Sequence, residues 1–307
     1  WMGPLFDHPW ILMRRLANEN PAPFSAYLHV PCLRLSLVSS SPELLLATED
    51  GMARTRPIKG TRPRGADPNE EEELRQELLN CEKEMAEHRM LVDLERNDLG
   101  MFCEAGTVEH CQFQVEAYAQ VQHLVSEVRG RLQQDCDVWD ALQAIFPGGS
   151  ITGCPKTVTC AGIDLLEKHP RSFWTGSIGH VDPRTGRSAW NILIRTMEAK
   201  MTPDGEWNAT VQAGGGLVIG SDPVAEVEEA KWKAAALRQA AGWLSSSVGE
   251  ESQAADTPPT SSHLTIHPLQ VKRAPLASAT VAGEMNRWPN DTTEVKQRGD
   301  PRNSRRV

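Results

Sequence analysis

The chain has 307 residues, 39% of them hydrophobic and 24% charged, which is enough apolar material for a packed core. Its formal net charge of −9 excludes general affinity for nucleic acid, because phosphate backbones are held through clustered Lys and Arg, but leaves small anions open to local basic stretches. Seven scattered cysteines without a CxxC pair fit reduced thiols rather than a disulfide framework or zinc site, and no apolar run approaches the roughly 20 residues that span a bilayer.

The opening WMGPLFDHPWILMRRL lacks the basic start and cleavage site of a signal peptide, so a cytoplasmic protein with no membrane partner is expected. RPIKGTRPRG, residues 56–65, reads as a Pro/Gly-rich cationic loop. In it Lys59 is a solvated charge, a counter-ion to an anion or, if desolvated, a nucleophilic amine. Asp67-Pro68 followed by Glu70 to Glu73 signals a helix start, and Leu74, Leu78, Cys81 and Met85 predict one buried stripe on a helix running to about Leu94. Glu84 and Glu87 share a side of that helix.

His123 in VQHLVSEV is ambiguous between core, surface and site. IFPGGSITGCPK is not a nucleotide P-loop, because Cys154-Pro155-Lys156 replaces the Lys-Ser/Thr ending; its glycines with Ser150 and Thr152 still offer donors to a small carboxylate. Between about Ser172 and Leu217 the pattern predicts an antiparallel meander, with Arg195 inside the strand-like SAWNILIRTMEAKM and Gly214, Gly215 and Gly216 ending the last strand. Ser221-Asp222-Pro223 opens a final helix on which Glu226 and Glu229 repeat the three-residue spacing and Lys233 lies one turn beyond. The two glutamate pairs are either solvated helix faces or, if they face each other, oxygen ligands for Mg²⁺. From Ser245 the Ser-, Pro- and charge-rich text predicts disorder. Long helices with consecutive hairpins indicate an α+β fold.

Taken in order, SPELLL, RPIKGTRPRG, EMAEHRMLVDLERNDLG, VQHLVSEVRG, FPGGSITGCPK, GSIGHV, ILIRT, AGGGLV and SDPVAEVEEAKWK resemble the chorismate-utilising family, over about residues 22–243. The resemblance implies the anthranilate synthase component I-like fold, with large antiparallel sheets flanked by helices. Within the family, a lysine at the position of Lys59 looks like aminodeoxychorismate synthase component I, whereas anthranilate synthases typically carry alanine. It implies Lys59 as nucleophile at C2 of chorismate and Glu43 as general acid for the departing C4 hydroxyl. Ammonia, from a glutamine amidotransferase subunit or fused domain, then gives 4-amino-4-deoxychorismate on the way to para-aminobenzoate and folate. Glu84, Glu87, Glu226 and Glu229 would form the Mg²⁺ cluster, Arg195, Gly214, Gly215 and Lys233 would contact substrate carboxylates, and His123 and Thr152 would line the pocket. Burial and the arginines near Lys59 are expected to favour its neutral amine.

The alternatives are anthranilate synthase component I and a truncated, non-catalytic protein of the same fold. Departures from the family pattern are Trp174 in place of a tyrosine, Glu95 at a normally apolar position, and residues 1–21, which match no family motif. The expected organisation is therefore an unmatched segment 1–21, a chorismate-binding domain 22–244 and a tail 245–307, as in the C-terminal portion of a longer enzyme with an incomplete N-terminus.

Overall fold

The computed structural model describes residues 1–244, except 112, 119, 120 and 219, together with the backbone of 265–268; the rest of the predicted tail lies outside the described residues. The chain opens with β1 (Met2–Leu5) and α1 (Pro9–Glu19) and continues through β2 (Ala26–Val30), β3 (Leu35–Ser39), β4 (Leu44–Glu49), β5 (Met52–Arg56) and β6 (Ile58–Pro63). Two helices, α2 (Pro68–Asn80) and α3 (Glu82–Leu99), precede β7 (Glu109–His110), β8 (Gln114–Ala117), β9 (Val121–Val125) and β10 (Val128–Arg131). Then come α4 (Val138–Ile145), α5 (Gly149–Thr152), α6 (Lys156–Leu166), β11 (Gly179–Val181), β12 (Ser188–Asn191), β13 (Thr196–Met201), β14 (Trp207–Val211), α7 (Pro223–Ala240) and β15 (Thr265–Pro268).

The described strands form two six-stranded antiparallel sheets, ordered β1-β14-β13-β3-β2-β15 and β11-β12-β4-β5-β10-β7, and a three-stranded sheet β6-β9-β8. On the first sheet α1 and α7 bury Leu12, Met13, Leu16, Ala234 and Leu237 against Val38, Met197 and Ala199. Leu12, Met13 and Leu16 are at most 2% exposed, and each such side chain contributes roughly 1.5–3 kcal/mol by leaving water. Residues 1–21, without a family motif, are thus built into the core: β1 pairs with β14 and α1 covers the sheet. On the second sheet α3 and α4 bury Val92, Leu99, Ala141 and Ile145 against Leu45, Leu46 and Trp190.

The structure revises three local expectations. The predicted single helix is broken at Cys81, whose extended backbone (φ −73, ψ 101) ends α2 and begins α3. No common stripe serves both: α2 buries only Leu78, whereas α3 turns His88, Leu91, Val92 and Leu94 inward. The caps at Asp67 and Asp222 are as expected, each side chain accepting backbone N–H bonds of the first turn.

The predicted strand around Arg195 is two strands in different sheets, β12 pairing with β4 and β13 with β3 and β14. Arg195 is the joint, in left-handed conformation at φ 51. The third revision concerns RPIKGTRPRG. Residues 58–63 form β6 rather than a loop, and pairing with β9 slips between Ile58↔Val125 and Thr61↔His123. One extra residue on β6 makes a bulge containing Lys59 and Gly60, and Gly60 takes the φ of +79 that a side chain would resist.

Candidate functional site

A cavity of about 720 Å³ opens where the three-stranded sheet meets α3, α5, the β12–β13 joint and the start of α7. Each of these elements delivers its residue by a local device. The bulge turns Lys59 into the cavity, where its Nζ is 3.0 Å from the Glu87 carboxylate. The arginines of the same stretch do not crowd it: Arg56 pairs with Glu116, Arg64 with Glu71 at 2.6 Å, and Arg62 with Glu77 at 2.9 Å and Glu84 at 3.7 Å. The expectation of arginines around the amine is therefore replaced by a carboxylate partner.

Glu43 enters between β3 and β4, beside a bulge of β4 between Leu44 and Ala47. It is 5% exposed, and burial pushes its carboxyl up to about 7, against the opposing pull of the Ser150 hydroxyl, Lys59 and the Ile58 backbone. Near neutrality this carboxyl is poised to donate a proton. His123, on β9, bonds Thr61 through Nδ1 at 2.9 Å; burial first, then Arg195, lowers it to about 4, so it lines the cavity uncharged.

Arg195 is held by its left-handed backbone at the sheet junction, with its guanidinium 5.6 Å from the Trp232 ring, and burial lowers its pKa. Lys233 bridges Glu229 at 2.8 Å and the carbonyl of Gly214 at 3.3 Å. Burial works to raise Glu229, but Lys233 and more distant lysines outweigh it and hold the carboxyl below its ordinary range. Gly214 lies against Trp174, the aromatic wall. A Cβ on Gly215 would stand 2.9 Å from Glu226 Oε2, and one on Gly216 would stand 2.8 Å from Lys59 Nζ, so backbone here approaches charged groups that a side chain would displace.

Glu84, Glu87, Glu226 and Glu229 all line the cavity. Among the described residues no three acidic, His or Cys side chains converge as a ready ligand set, because each glutamate is turned toward a base. Lys83 Nζ lies 4.0 Å from Glu87 and 3.9 Å from Glu226, a cationic group between carboxylates of two facing helices. That ammonium occupies the kind of place a hard divalent ion takes, and carboxylate oxygens are the donors Mg²⁺ prefers, so the residues fit the ion.

Thr152 is the exception among the expected residues. It does not line the cavity: its hydroxyl donates to the O of Gly148, the residue that caps α5, at 3.1 Å, and Ser150 takes its place. Sequence reasoning missed Lys83, Arg62 and Trp232. Lys83 carried a readable signal, one helical turn before Glu87.

The chain's similarities agree with this geometry. The model of the chorismate binding enzyme family matches residues 3–239. The chain belongs to that family. The family match reaches into the first residues, which carry no recognisable motif. An anthranilate synthase component I-like protein of Synechocystis is 48% identical over 229 residues, 74% of this chain and 46% of that protein. Aminodeoxychorismate synthase component 1 of Bacillus subtilis is 44% identical over 234 residues, 76% of this chain and 48% of that protein. The crystal structure of anthranilate synthase component I from Streptococcus pneumoniae superposes with a TM-score of 0.67 at 32% identity, covering 78% of this chain and 51% of that one. The chain thus spans about half the length of the relatives it matches. As a family member it has the chorismate-utilising α+β fold, and no described helix is long and apolar enough to cross a membrane.

Proposed function

We propose that this chain carries the aminodeoxychorismate synthase component I reaction, adding ammonia to chorismate to give 4-amino-4-deoxychorismate for para-aminobenzoate and folate synthesis. The observation that carries the reading is the joint presence in one cavity of a primary amine, Lys59, and a buried carboxyl, Glu43, that keeps a proton near neutrality. Relatives bear both the aminodeoxychorismate and the anthranilate name, so identity alone does not choose. Lys59 favours the former, because a covalent route through an amine needs that side chain.

In this mechanism Arg195, with Lys233 and the backbone of Gly214 and Gly215, receives the substrate carboxylates. Lys59 passes a proton to solvent and gives up its pair with Glu87, and its nitrogen bonds to C2 of chorismate. Both ring double bonds shift, the C4 hydroxyl departs, and Glu43 supplies the proton that lets it leave as water. Ammonia then bonds at C4, both double bonds return, Lys59 leaves as the amine, and the new nitrogen releases a proton to solvent, which balances the one that Glu43 gave. Trp174 and neutral His123 wall the ring without adding charge. Glu87 and Glu226, with Glu84 and Glu229 beside them, would hold Mg²⁺. When bound, the ion supplies positive charge to the ring carboxylate, which the glutamates alone would repel. A glutamine amidotransferase subunit or fused domain would supply the ammonia.

The deciding experiment incubates the protein with chorismate, Mg²⁺ and ammonium and identifies products by chromatography. Aminodeoxychorismate is expected, and anthranilate would overturn the weight placed on Lys59. Replacing ammonium by glutamine separates the partner question, since turnover then requires an added amidotransferase.

Two further outcomes are expected. Glu87→Gln and Glu226→Gln each weaken Mg²⁺-dependent chorismate binding at least tenfold by isothermal titration, because a neutral amide replaces charge where a hard cation needs it. Unchanged binding in both would return these residues to the role of lysine partners. Gly216→Ala leaves the thermal melt nearly unchanged, since the atom it meets is the tip of a flexible lysine, but lowers turnover about 10²-fold by moving the amine. A melt that collapses with activity would instead make Gly216 a folding requirement.

A further inference from the structure

The cations of the cavity are held in two different ways. Lys59, Arg62, Lys83, Arg171 and Lys233 each lie 2.5 to 3.9 Å from a glutamate carboxylate. Among the described residues Arg195 forms no ion pair and its guanidinium donates no hydrogen bond; its partner is the ring of Trp232, whose centroid lies 5.6 Å from the guanidinium carbon. Arg171 also lies over an indole, that of Trp174 at 5.0 Å, but Glu167 grips it at 2.5 Å, so that stack encloses a neutralised pair. The main chain of Arg195 is set by its left-handed φ of 51 and by the Ser40 N–H, which donates to its carbonyl at 3.0 Å. Neither constraint reaches the end of the long side chain, and the contact with Trp232 does. On α7, Trp232 stands three residues after Glu229 and just before Lys233, on one side of the helix. Lys233 closes on Glu229 at 2.8 Å and so engages the carboxylate whose charge already reaches Arg195. An aromatic face attracts a guanidinium through its quadrupole, yet it offers no oxygen to compete with a substrate carboxylate and leaves the N–H edge of the planar group open.

We propose that Trp232 is a positioning residue: it holds the Arg195 guanidinium in place and unpaired, ready for bidentate contact with a carboxylate of chorismate. The inference rests on reading Arg195 as the receptor of that carboxylate. Without the ring, the arginine side chain is released to turn toward Glu229, and the substrate then competes with a carboxylate of the protein itself. Trp232 therefore acts on the substrate through Arg195.

The test measures chorismate binding to the full chain by isothermal titration with Mg²⁺ present, for Trp232→Phe, Trp232→Leu, Arg195→Gln and the double variant Trp232→Leu/Arg195→Gln. Trp232→Leu is expected to weaken binding about five- to tenfold, and Trp232→Phe, which keeps a ring, about twofold. With chorismate and ammonium the loss should appear in KM with kcat little changed. In the Arg195→Gln background, Trp232→Leu should cost less than about twofold, because the ring has no guanidinium left to hold. Trp232 is 48% exposed, so its variants should keep a nearly unchanged thermal melt. Equal losses with and without Arg195 would make Trp232 a contact of the substrate and overturn the proposal, as would unchanged binding in Trp232→Leu or a melt that falls along with affinity. If the unaltered protein binds no chorismate, the reading of Arg195 as its receptor fails. Nuclear magnetic resonance of the arginine Nε–H groups then still decides the stack: the Arg195 signal, assigned by its loss in Arg195→Gln, should lose the ring-current shift of the indole in Trp232→Leu, and a signal that does not move refutes the contact.

Discussion

Lys59→Ala is expected to abolish aminodeoxychorismate formation, with turnover falling by at least about 10³-fold while the fold persists. The side chain is held by a bulge and one ion pair rather than by core packing, so truncation leaves no large cavity. What it does leave is Glu87 without its nearest cation, and Lys83, 4.0 Å away, is the group positioned to compensate. Chorismate binding should therefore change much less than kcat, the pattern of an interaction needed only for the chemical step. Mass spectrometry of the unaltered protein quenched during turnover without ammonia should find the ring attached to Lys59. An adduct on Lys83 or Lys233, the other lysines of the cavity, would reassign the nucleophile, and full activity in Lys59→Ala would end the covalent reading.

The position of that lysine was legible in sequence, but its presentation was not. Motif order placed Lys59, Glu43, Arg195 and both glutamate pairs, and the structure gathers them around one cavity. The bulge that aims Lys59 depends on register against β9, more than 60 residues away along the chain, and nothing local to RPIKGTRPRG announces it. Arg195 was hidden in a different way. NILIRT has the composition of a strand, and only tertiary demand, the crossing from one sheet to the other, forces a left-handed arginine into it.

The hairpin of β13 and β14 was fully legible, because TPDGE carries its own turn chemistry, with Gly205 at φ +87. Residues 1–21 show the cost of reading by motif. Leu12, Met13 and Leu16 have helical spacing that marks α1, yet no family string draws attention to them. Glu95 stood out as a departure from pattern, but that the fold buries it, beside Asp98 and Glu43, and so pushes its carboxyl up needed the packing to be seen.

Glu43→Gln is expected to lower kcat by about 10²–10⁴-fold, the usual contribution of a positioned general acid, with KM little changed. The pH dependence distinguishes loss of the acid from damage to the fold. An acid must be protonated to work, so activity of the unaltered protein should fall as pH rises through about 7, where Glu43 ionises. The residual rate of Glu43→Gln should lack that limb. Stability runs the opposite way. Burial raises this carboxyl from its ordinary 4.5, so the native state binds the proton more tightly than the unfolded chain does. Its favourable contribution is complete below about 4.5 and is lost as pH rises through about 7, a difference on the order of 3 kcal/mol. Glutamine has no charge to bury, so above pH 7 the variant should melt at a higher temperature than the unaltered protein even as it loses turnover. A variant that is both less active and less stable at pH 8 would show that Glu43 serves the cavity as a structural carboxylate, with its proton playing no part in the reaction.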